Sequence, residues 1–134
     1  MAKVLIDTDI WIDFLNKQDY ALNFIQNLSQ EHQIYASVLT VTELRAGLSN
    51  ERAEKYMSIF YAYATIVGVS PRIAESAGSF LKEYKTKGIS LGTVDTIIAS
   101  TAITEKCQLA TRNKKDFPQR EIRLYPGIET LKSA

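Results

Sequence analysis

The segment Lys3-Val4-Leu5-Ile6-Asp7 lies near the start of the 134-residue chain and decides how the rest of it is interpreted. Three apolar residues in succession predict a short buried strand, and the acid that follows them marks its end. Residues 8–15 then carry apolar side chains at helical spacing, namely Ile10, Trp11, Phe14 and Leu15. A buried strand followed at once by an amphipathic helix is the first half of a β-α unit, and it predicts a parallel sheet.

The same alternation of apolar runs and helical periodicity continues along the chain. It predicts further strands at residues 33–38, 65–69, 107–111 and 122–124, and helices at residues 21–28, 40–47, 51–63, 71–87 and 92–105. We therefore expect an α/β fold with a central, mostly parallel sheet of four or five strands and helices on both faces. No linker or internal repeat divides the sequence, so residues 1–134 are expected to form a single domain.

Composition narrows the class of protein further. Hydrophobic residues make up 46% of the chain and charged residues 23%, which is typical of globular proteins and argues against disorder. No apolar run approaches the roughly 20 residues needed to cross a bilayer, and an acid at position 7 ends the first apolar run too early for a signal peptide. Cys107 is the single cysteine, so no internal disulfide is possible. These features predict a cytoplasmic protein with no membrane segment.

The net charge of +1 does not by itself indicate a nucleic-acid partner. The distribution is uneven, because residues 1–67 carry 5 Lys and Arg against 8 Asp and Glu, a balance of −3, whereas residues 68–134 carry 11 against 7, a balance of +4. A cation site and a basic flank for phosphate groups are compatible with this division, and so is ordinary surface charge.

Acidic residues recur where predicted strands end or predicted helices begin: Asp7, Glu43, Asp95 and Asp116. Ligands of open α/β sheets gather at the carboxyl ends of the strands, so these four acids are expected to meet at one edge of the sheet. Neighbouring carboxylates repel one another and raise each other's pKa unless a cation neutralises them. Carboxylate oxygens without a Cys or His cluster suit Mg²⁺ or Mn²⁺.

Each of these acids also has a purely structural explanation. Asp7 would cap the following helix, and Thr40-Val41-Thr42-Glu43 matches a capping box in which the glutamate bonds the threonine N–H. Asp95 would favour a helix N-terminus through the macrodipole, and Asp116 would be an ordinary loop acid. Asp95 is the hardest to explain in this way, because apolar neighbours predict a core-facing position in which an unpaired acid is costly.

Four segments resemble the motifs of the PIN-domain family. Residues 4–9, Val-Leu-Ile-Asp-Thr-Asp, are similar to its opening strand and first acid, and residues 42–47, Thr-Glu-Leu-Arg-Ala-Gly, to its second motif. Residues 91–100 resemble the third motif, in which an acid precedes an Ile-Ala helix, and residues 111–117 resemble the fourth, Thr-x-Asn-x-x-Asp-Phe. The four motifs occur in the family's order and at suitable spacings, and the resemblance extends over most of the chain. The resemblance implies a PIN-like three-layer α/β/α sandwich.

Within that family the compact chain is most similar to VapC-type toxins of toxin–antitoxin modules. The resemblance implies an endoribonuclease that cleaves phosphodiester bonds of tRNA, rRNA or mRNA by means of a metal-activated water. It implies that Asp7, Glu43, Asp95 and Asp116 hold one or two Mg²⁺ or Mn²⁺ ions. It also implies a homodimer and inhibition by a cognate VapB-type antitoxin.

Several polar residues next to the four acids are candidates for a supporting role. Thr8, Thr111 and Asn113 are placed to hydrogen-bond the carboxylates or a metal-bound water, although local turn formation would also explain the last two. Asp9 stands where many family members carry asparagine, and it is either a supporting ligand or a solvent-facing acid. The cations beside the fourth acid would contact RNA phosphate or only face solvent: Arg112, Lys114 and Lys115.

Two other functions remain open from the sequence. Asp7-Thr8-Asp9 resembles the Asp-x-Asp-x-Thr start of haloacid-dehalogenase-like phosphatases, in which Asp7 would be the nucleophile, but Trp11 occupies the place of the threonine. A PIN-like binding module without turnover is the non-enzymatic alternative. A group of aromatic residues is explained first by core packing and second by a helical patch for a partner: Tyr56, Phe60, Tyr61 and Tyr63.

Overall fold

The computed structural model describes residues 2–128 and residue 131. Within them, four strands and six α-helices alternate along the chain, followed by one short 3₁₀ helix. In chain order these elements are β1 (Lys3–Ile6), α1 (Thr8–Leu15), α2 (Asp19–Glu31), β2 (Gln33–Ser37), α3 (Val38–Ala46), α4 (Asn50–Tyr63), β3 (Thr65–Val67), α5 (Pro71–Thr86), α6 (Thr93–Thr104), β4 (Gln108–Ala110) and the 3₁₀ helix (Lys114–Asp116).

The strands form one sheet in the order β3-β2-β1-β4, and every pair in it is parallel. The chain first builds the sheet in one direction, from β1 to β2 to β3, and then returns to add β4 on the other side of β1. The strand order therefore reverses between β1 and β4, and an open α/β sheet offers its ligand crevice at such a switch point. Asp7 follows β1 at this place, and its N–H bonds the carbonyl of Ala110 at 2.9 Å.

The core lies on both faces of the sheet. Val4 and Ile6 of β1 pack on the face covered by α1 to α4, where Trp11 and Phe60 are fully buried with ring centroids 4.8 Å apart. Leu5 points to the opposite face and joins a second cluster built largely from α6 and β4. Alternate side chains of one strand thus serve two layers of helices, as expected for a strand at the centre of a parallel sheet.

The predicted α/β class, the parallel sheet and the two helical layers are confirmed. The possible fifth strand is not formed within the described residues, since segment 122–124 makes only an isolated bridge from Leu124 to Leu109. β4 is only three residues long, so it offers little length along which a longer ladder could form. The described residues include no helix with both the length and the apolar character required to cross a bilayer.

The start of α3 also differs from the prediction. The helix begins at Val38, with Ser37 as its N-cap and the Ser37 side chain accepting a hydrogen bond from the Leu39 N–H at 3.1 Å. Thr40 therefore lies inside the first turn and does not open the helix. The prediction of a capping box at residues 40–43 is therefore wrong, because Ser37, three residues before Thr40, caps the helix.

Candidate active site

Asp7 lies at the end of β1 and is only 5% exposed. It caps α1 through a 2.8 Å hydrogen bond from the Thr8 N–H to Oδ1, and its other oxygen, Oδ2, accepts from the Thr111 hydroxyl at 2.9 Å. The pKa of Asp7 is raised to about 7, first by burial, then by the carboxylate of Asp9 and to a smaller extent by that of Asp95, while the two hydrogen bonds act in the opposite direction. Helix capping therefore occurs, yet it does not fully compensate the charge.

Asp9 faces the same edge of the sheet. Its Oδ2 accepts from Asn113 Nδ2 at 3.1 Å, and its Oδ1 accepts from the Ile10 N–H at 2.9 Å. Burial raises the pKa of Asp9, while hydrogen bonds from backbone N–H groups and the charge of Arg112 partly offset this effect. The sequence left two roles open for Asp9, a supporting ligand or a solvent-facing acid. The geometry favours the first, because the charge of Asp9 raises the pKa of both Asp7 and Asp95.

Asp95 is the third residue of α6 and is partly buried. Burial raises its pKa, and so do the carboxylates of Asp116, Glu43 and Asp9, in that order. These acids belong to elements that are distant in sequence, and their mutual effect shows that the fold brings them to one edge. Gly92 makes room for this carboxylate, since a Cβ at that position would lie 3.3 Å from Asp95 Oδ2.

Glu43 projects from α3 with an exposed side chain. Its Oε1 accepts a 2.6 Å hydrogen bond from the Thr8 hydroxyl. The same Thr8 oxygen lies 2.8 Å from Thr40 Oγ1, which belongs to a residue with no exposed surface. Glu43 is thus tied to the start of α1 and is not the helix cap considered from the sequence.

Asp116 ends the 3₁₀ helix and is exposed, close enough to Asp95 to raise the pKa of that residue. Among the cations expected beside it, Arg112 stacks over the ring of Tyr20 at 4.5 Å and donates to the carbonyl of Leu131 at 3.3 Å. Lys114 and Lys115 are exposed. Arg112 therefore has a role within the fold, and Lys114 and Lys115 lie on the surface next to Asp116.

All seven site residues predicted from the sequence lie at this edge: Asp7, Thr8, Glu43, Asp95, Thr111, Asn113 and Asp116. Thr111 combines both roles considered for it, since its hydroxyl donates to Asp7 and accepts from the Asn113 N–H at 3.0 Å. Sequence reasoning missed Thr40 and Gly92. Thr40 was interpreted as a helix start, and only the three-residue interval that puts it one helical turn before Glu43 hinted at a shared face.

The side chains fit a hard dication by their chemistry but do not form a preassembled cage. The donors are carboxylate oxygens, and the raised pKa values of Asp7 and Asp95 show charge that the surrounding groups leave poorly compensated. In the part of the chain that the structure describes, no three Asp, Glu, His or Cys side chains already stand together as a metal-holding group. Glu43 and Asp116 are exposed, so only Asp7 and, in part, Asp95 are buried among the four acids.

The fold and the acidic edge, formed by Asp7, Glu43, Asp95 and Asp116, define an α/β protein with a group of carboxylates at the switch point of a parallel sheet. The family model described as PIN domain matches residues 4–122, and the chain belongs to this family. The resemblance seen in the four motifs is therefore confirmed.

Curated relatives of this chain include ribonuclease VapC2 of Rickettsia felis, with 30% identity over 118 residues covering 84% of this chain and 88% of the relative. Ribonuclease VapC19 of Mycobacterium tuberculosis is 31% identical over 126 residues, covering 93% and 96%. Ribonuclease VapC1 of Methanocaldococcus jannaschii is 29% identical over 116 residues, covering 87% and 79%.

Solved structures with the same fold include toxin–antitoxin complexes. The crystal structure of VapBC2 from Rickettsia felis bound to a promoter DNA fragment matches with a TM-score of 0.82 and 26% identity, covering 92% of this chain and 97% of the other. A toxin–antitoxin complex from Klebsiella pneumoniae matches with a TM-score of 0.76 and 28% identity, covering 92% and 98%.

Proposed function

We propose that this protein is a metal-dependent endoribonuclease, the toxin component of a VapBC-type toxin–antitoxin module. The observation that carries the proposal is the meeting of Asp7, Glu43, Asp95 and Asp116 at the switch point of the sheet, with the pKa values of Asp7 and Asp95 raised. Membership of the PIN domain family and similarity to three proteins named ribonuclease VapC support the reaction class.

The four carboxylates are the proposed ligands of Mg²⁺ or Mn²⁺. When bound, the ion would supply a water of lowered pKa and stabilise the charge that develops on the phosphoryl oxygens. Thr111 and the Thr8 N–H hold the two oxygens of Asp7 in place, and Thr8 holds Glu43. Because the buried part of the site is already ordered, less conformational freedom remains to be lost when the ligand set closes.

RNA is the proposed substrate, and the basic residues beside the acidic edge suit its backbone. Lys114 and Lys115 are exposed in the 3₁₀ helix that ends at Asp116. Their charges lie next to the proposed cleavage site, where they would attract and orient phosphate groups without reading the base sequence. Arg112 is the third cation of this loop, and it anchors the loop through Tyr20.

The proposed protein partner is a VapB-type antitoxin, as in the complexes that this chain resembles. The aromatic patch considered from the sequence divides in the structure, because Phe60 is in the core whereas Tyr61 is 49% exposed. A groove of about 220 Å³ is lined by apolar side chains together with Lys17 and Lys55; the apolar residues are Phe14, Leu15, Leu22, Tyr56 and Ile59. We also propose a homodimer, which light scattering on the purified chain would test.

The phosphatase alternative is not favoured. Trp11 stands where that family places its threonine, and it is fully buried in the core beneath α1. A binding module without turnover would have the same fold but would not require Mg²⁺ or Mn²⁺. Calorimetric titration with Mn²⁺ separates it from the enzyme, because the enzyme binds the ion at the acidic edge.

The decisive experiment incubates the purified protein with total RNA in the presence of Mg²⁺, Mn²⁺ or EDTA and maps the new 5′ ends. We expect discrete cleavage sites with Mg²⁺ or Mn²⁺ and none with EDTA. The Asp7→Asn variant, prepared identically, controls for contaminating nuclease. Cleavage that persists in EDTA or in this variant would contradict the proposal.

A further inference from the structure

Thr40 is a buried threonine whose hydroxyl contact differs from those of two comparable residues. Thr96 and Thr101 lie in α6, and each donates its hydroxyl proton to the carbonyl four residues earlier, Gly92 and Ile97 respectively, at 2.7 Å. This is the ordinary way in which a helical threonine satisfies its hydroxyl. Thr40 lies in α3 and instead places its Oγ1 2.8 Å from Thr8 Oγ1, on a different helix.

The direction of this hydrogen bond follows from counting protons. A threonine hydroxyl has one proton to donate and two lone pairs with which to accept. Glu43 Oε1 lies 2.6 Å from Thr8 Oγ1, and as a carboxylate oxygen it accepts the Thr8 proton. Thr8 then has no proton left for Thr40, so Thr40 must be the donor of the 2.8 Å contact. The chain of donors runs from Thr40 through Thr8 to Glu43.

We propose that Thr40 is a positioning residue for the acidic edge, whose buried hydroxyl, by donating to Thr8, fixes the Thr8 proton on Glu43. The inference rests on the proposed function for its catalytic consequence, but the positioning itself is a property of the fold. Thr40 has no contact with substrate in this account and acts only through Thr8.

Glu43 is the acid whose side chain is held in place by this chain of hydrogen bonds. Its side chain has several rotatable bonds and is exposed, so it would otherwise sample many rotamers. Asp7, in contrast, is buried and held by two hydrogen bonds. The Thr8 hydroxyl rotates less freely when it both donates to Glu43 and accepts from Thr40. The hydrogen bond from Thr40 also polarises the Thr8 hydroxyl and so strengthens its bond to Glu43. Fixing Thr8 from behind therefore holds the exposed carboxylate towards Asp95.

The test compares Thr40→Val, which keeps the shape and removes the hydroxyl, with Thr40→Ser, which keeps the hydroxyl. Thr101→Val is the matched control, since it removes another fully buried helical hydroxyl far along α6 from the acids. Loss of a group that orients a metal ligand typically lowers activity or metal affinity about 10- to 100-fold. We expect Thr40→Val to lower kcat for RNA cleavage and Mn²⁺ affinity about tenfold, with KM little changed. Thr40→Ser should retain most of both, and Thr101→Val all of both.

Either of two activity results would overturn the inference. One is a Thr40→Val variant that cleaves RNA and binds Mn²⁺ as well as Thr101→Val does. The other is a Thr40→Ser variant that loses as much as Thr40→Val, because the side-chain shape and not the hydroxyl would then matter. Thermal melts of all three variants identify any that fold poorly, and Thr40→Ser still tests the hydroxyl if Thr40→Val does not fold.

Crystal structures of the parent, Thr40→Val and Thr40→Ser separate this inference from the proposed function. We expect the contact between Thr8 Oγ1 and Glu43 Oε1 in the parent and in Thr40→Ser, and a displaced Glu43 side chain in Thr40→Val. If the parent shows no ribonuclease activity but Glu43 moves in this way, the proposed function fails and the positioning role stands. If Glu43 keeps its place in Thr40→Val, the positioning role fails whatever the cleavage assay shows.

Discussion

The two edges of the sheet hold their charges in different ways. The amino ends of the parallel strands form one edge, the amino edge, and their carboxyl ends form the other, the carboxyl edge. At the amino edge, Lys3 donates to the carbonyl of Glu105 at 3.1 Å, and Arg123 donates to the carbonyl of Lys106 at 3.3 Å. These carbonyls lie at the C-terminal end of α6, where orphan carbonyl groups and the helix dipole favour cations. The cations at this edge thus have a structural role that accounts for them.

At the carboxyl edge the first turn of the same helix carries Asp95, which the dipole also favours. Here, however, more acids gather than one helix terminus requires, and burial together with the neighbouring carboxylates raises the pKa of Asp95. At the amino edge, backbone carbonyls compensate the positive charges. At the carboxyl edge, the carboxylates repel one another. Uncompensated charge at a switch point indicates a site that is completed by a ligand.

The largest expected effect comes from removing one carboxylate at the acidic edge. Asp95→Asn should reduce RNA cleavage at least about a hundredfold, because it removes a proposed ligand of the catalytic ion while keeping the side-chain shape. Single-turnover cleavage of a mapped RNA target measures the loss. Glu105→Gln, which removes an acid at the opposite edge, is the matched control and should cleave normally. Equal activity in both variants would show that the two edges do not differ in the way described.

Metal binding should stabilise the folded protein through the acidic edge. Mn²⁺ at a concentration one hundred times its dissociation constant is expected to raise the free energy of unfolding by about 2.7 kcal/mol. Urea unfolding with Mn²⁺ or with EDTA measures this difference. It should disappear in Asp95→Asn and persist in Glu105→Gln, and a full Mn²⁺ effect in Asp95→Asn would place the ion elsewhere.

The pH dependence of stability should also report the carboxyl edge. The pKa of Asp7 rises from 3.8 to about 7 on folding, so between these values the folded chain holds a proton that the unfolded chain has released. The free energy of unfolding of the metal-free protein should therefore fall as pH rises through this window, by up to about 1.4 kcal/mol per pH unit for this group. The raised pKa of Asp95 acts in the same direction.

Urea unfolding in EDTA at several pH values across that window measures the slope. Asp7→Asn should reduce the slope, because asparagine does not titrate, whereas Glu105→Gln should leave it unchanged. A slope in Asp7→Asn that equals the slope of the parent would mean that Asp7 is not the group responsible.

The smallest effect is expected at the amino edge. Lys3→Met keeps the length of the side chain and removes the charge that bonds the Glu105 carbonyl. We expect it to lower the free energy of unfolding by about 0.3–1 kcal/mol, the usual value of a cation at a helix C-terminus. Chemical denaturation and the cleavage assay together check this, and a large loss of cleavage with intact stability would reveal a functional role at that edge.

The sequence was sufficient for the parts of the fold that depend on local patterns. The bounds of α1 agree with the prediction, because Asp7 ends a buried strand and the apolar spacing ends at Leu15. The start of α3 and the fifth strand were not predictable in this way. Ser37 and Thr40 are both suitable N-cap residues, and the structure uses Ser37. Segment 122–124 has the composition of a strand, but it forms only an isolated bridge to Leu109.

The candidate site shows the same division. The approximate meeting of the four acids followed from the positions of the strand ends. The contact between Thr8 and Thr40 did not, because it joins two helices and depends on where each begins. The placement of Asp9 likewise depends on Asn113, which is 104 residues away in the chain.

We propose that Asp7, Glu43, Asp95 and Asp116 surround a hard dication at the carboxyl edge of the sheet. Anomalous diffraction from crystals grown with Mn²⁺ tests it most directly. We predict an anomalous peak within coordination distance of the Asp7 and Asp95 carboxylates, with Glu43 and Asp116 turned towards it. A peak at another surface, or none at an occupancy that calorimetry shows to be saturating, would contradict the account.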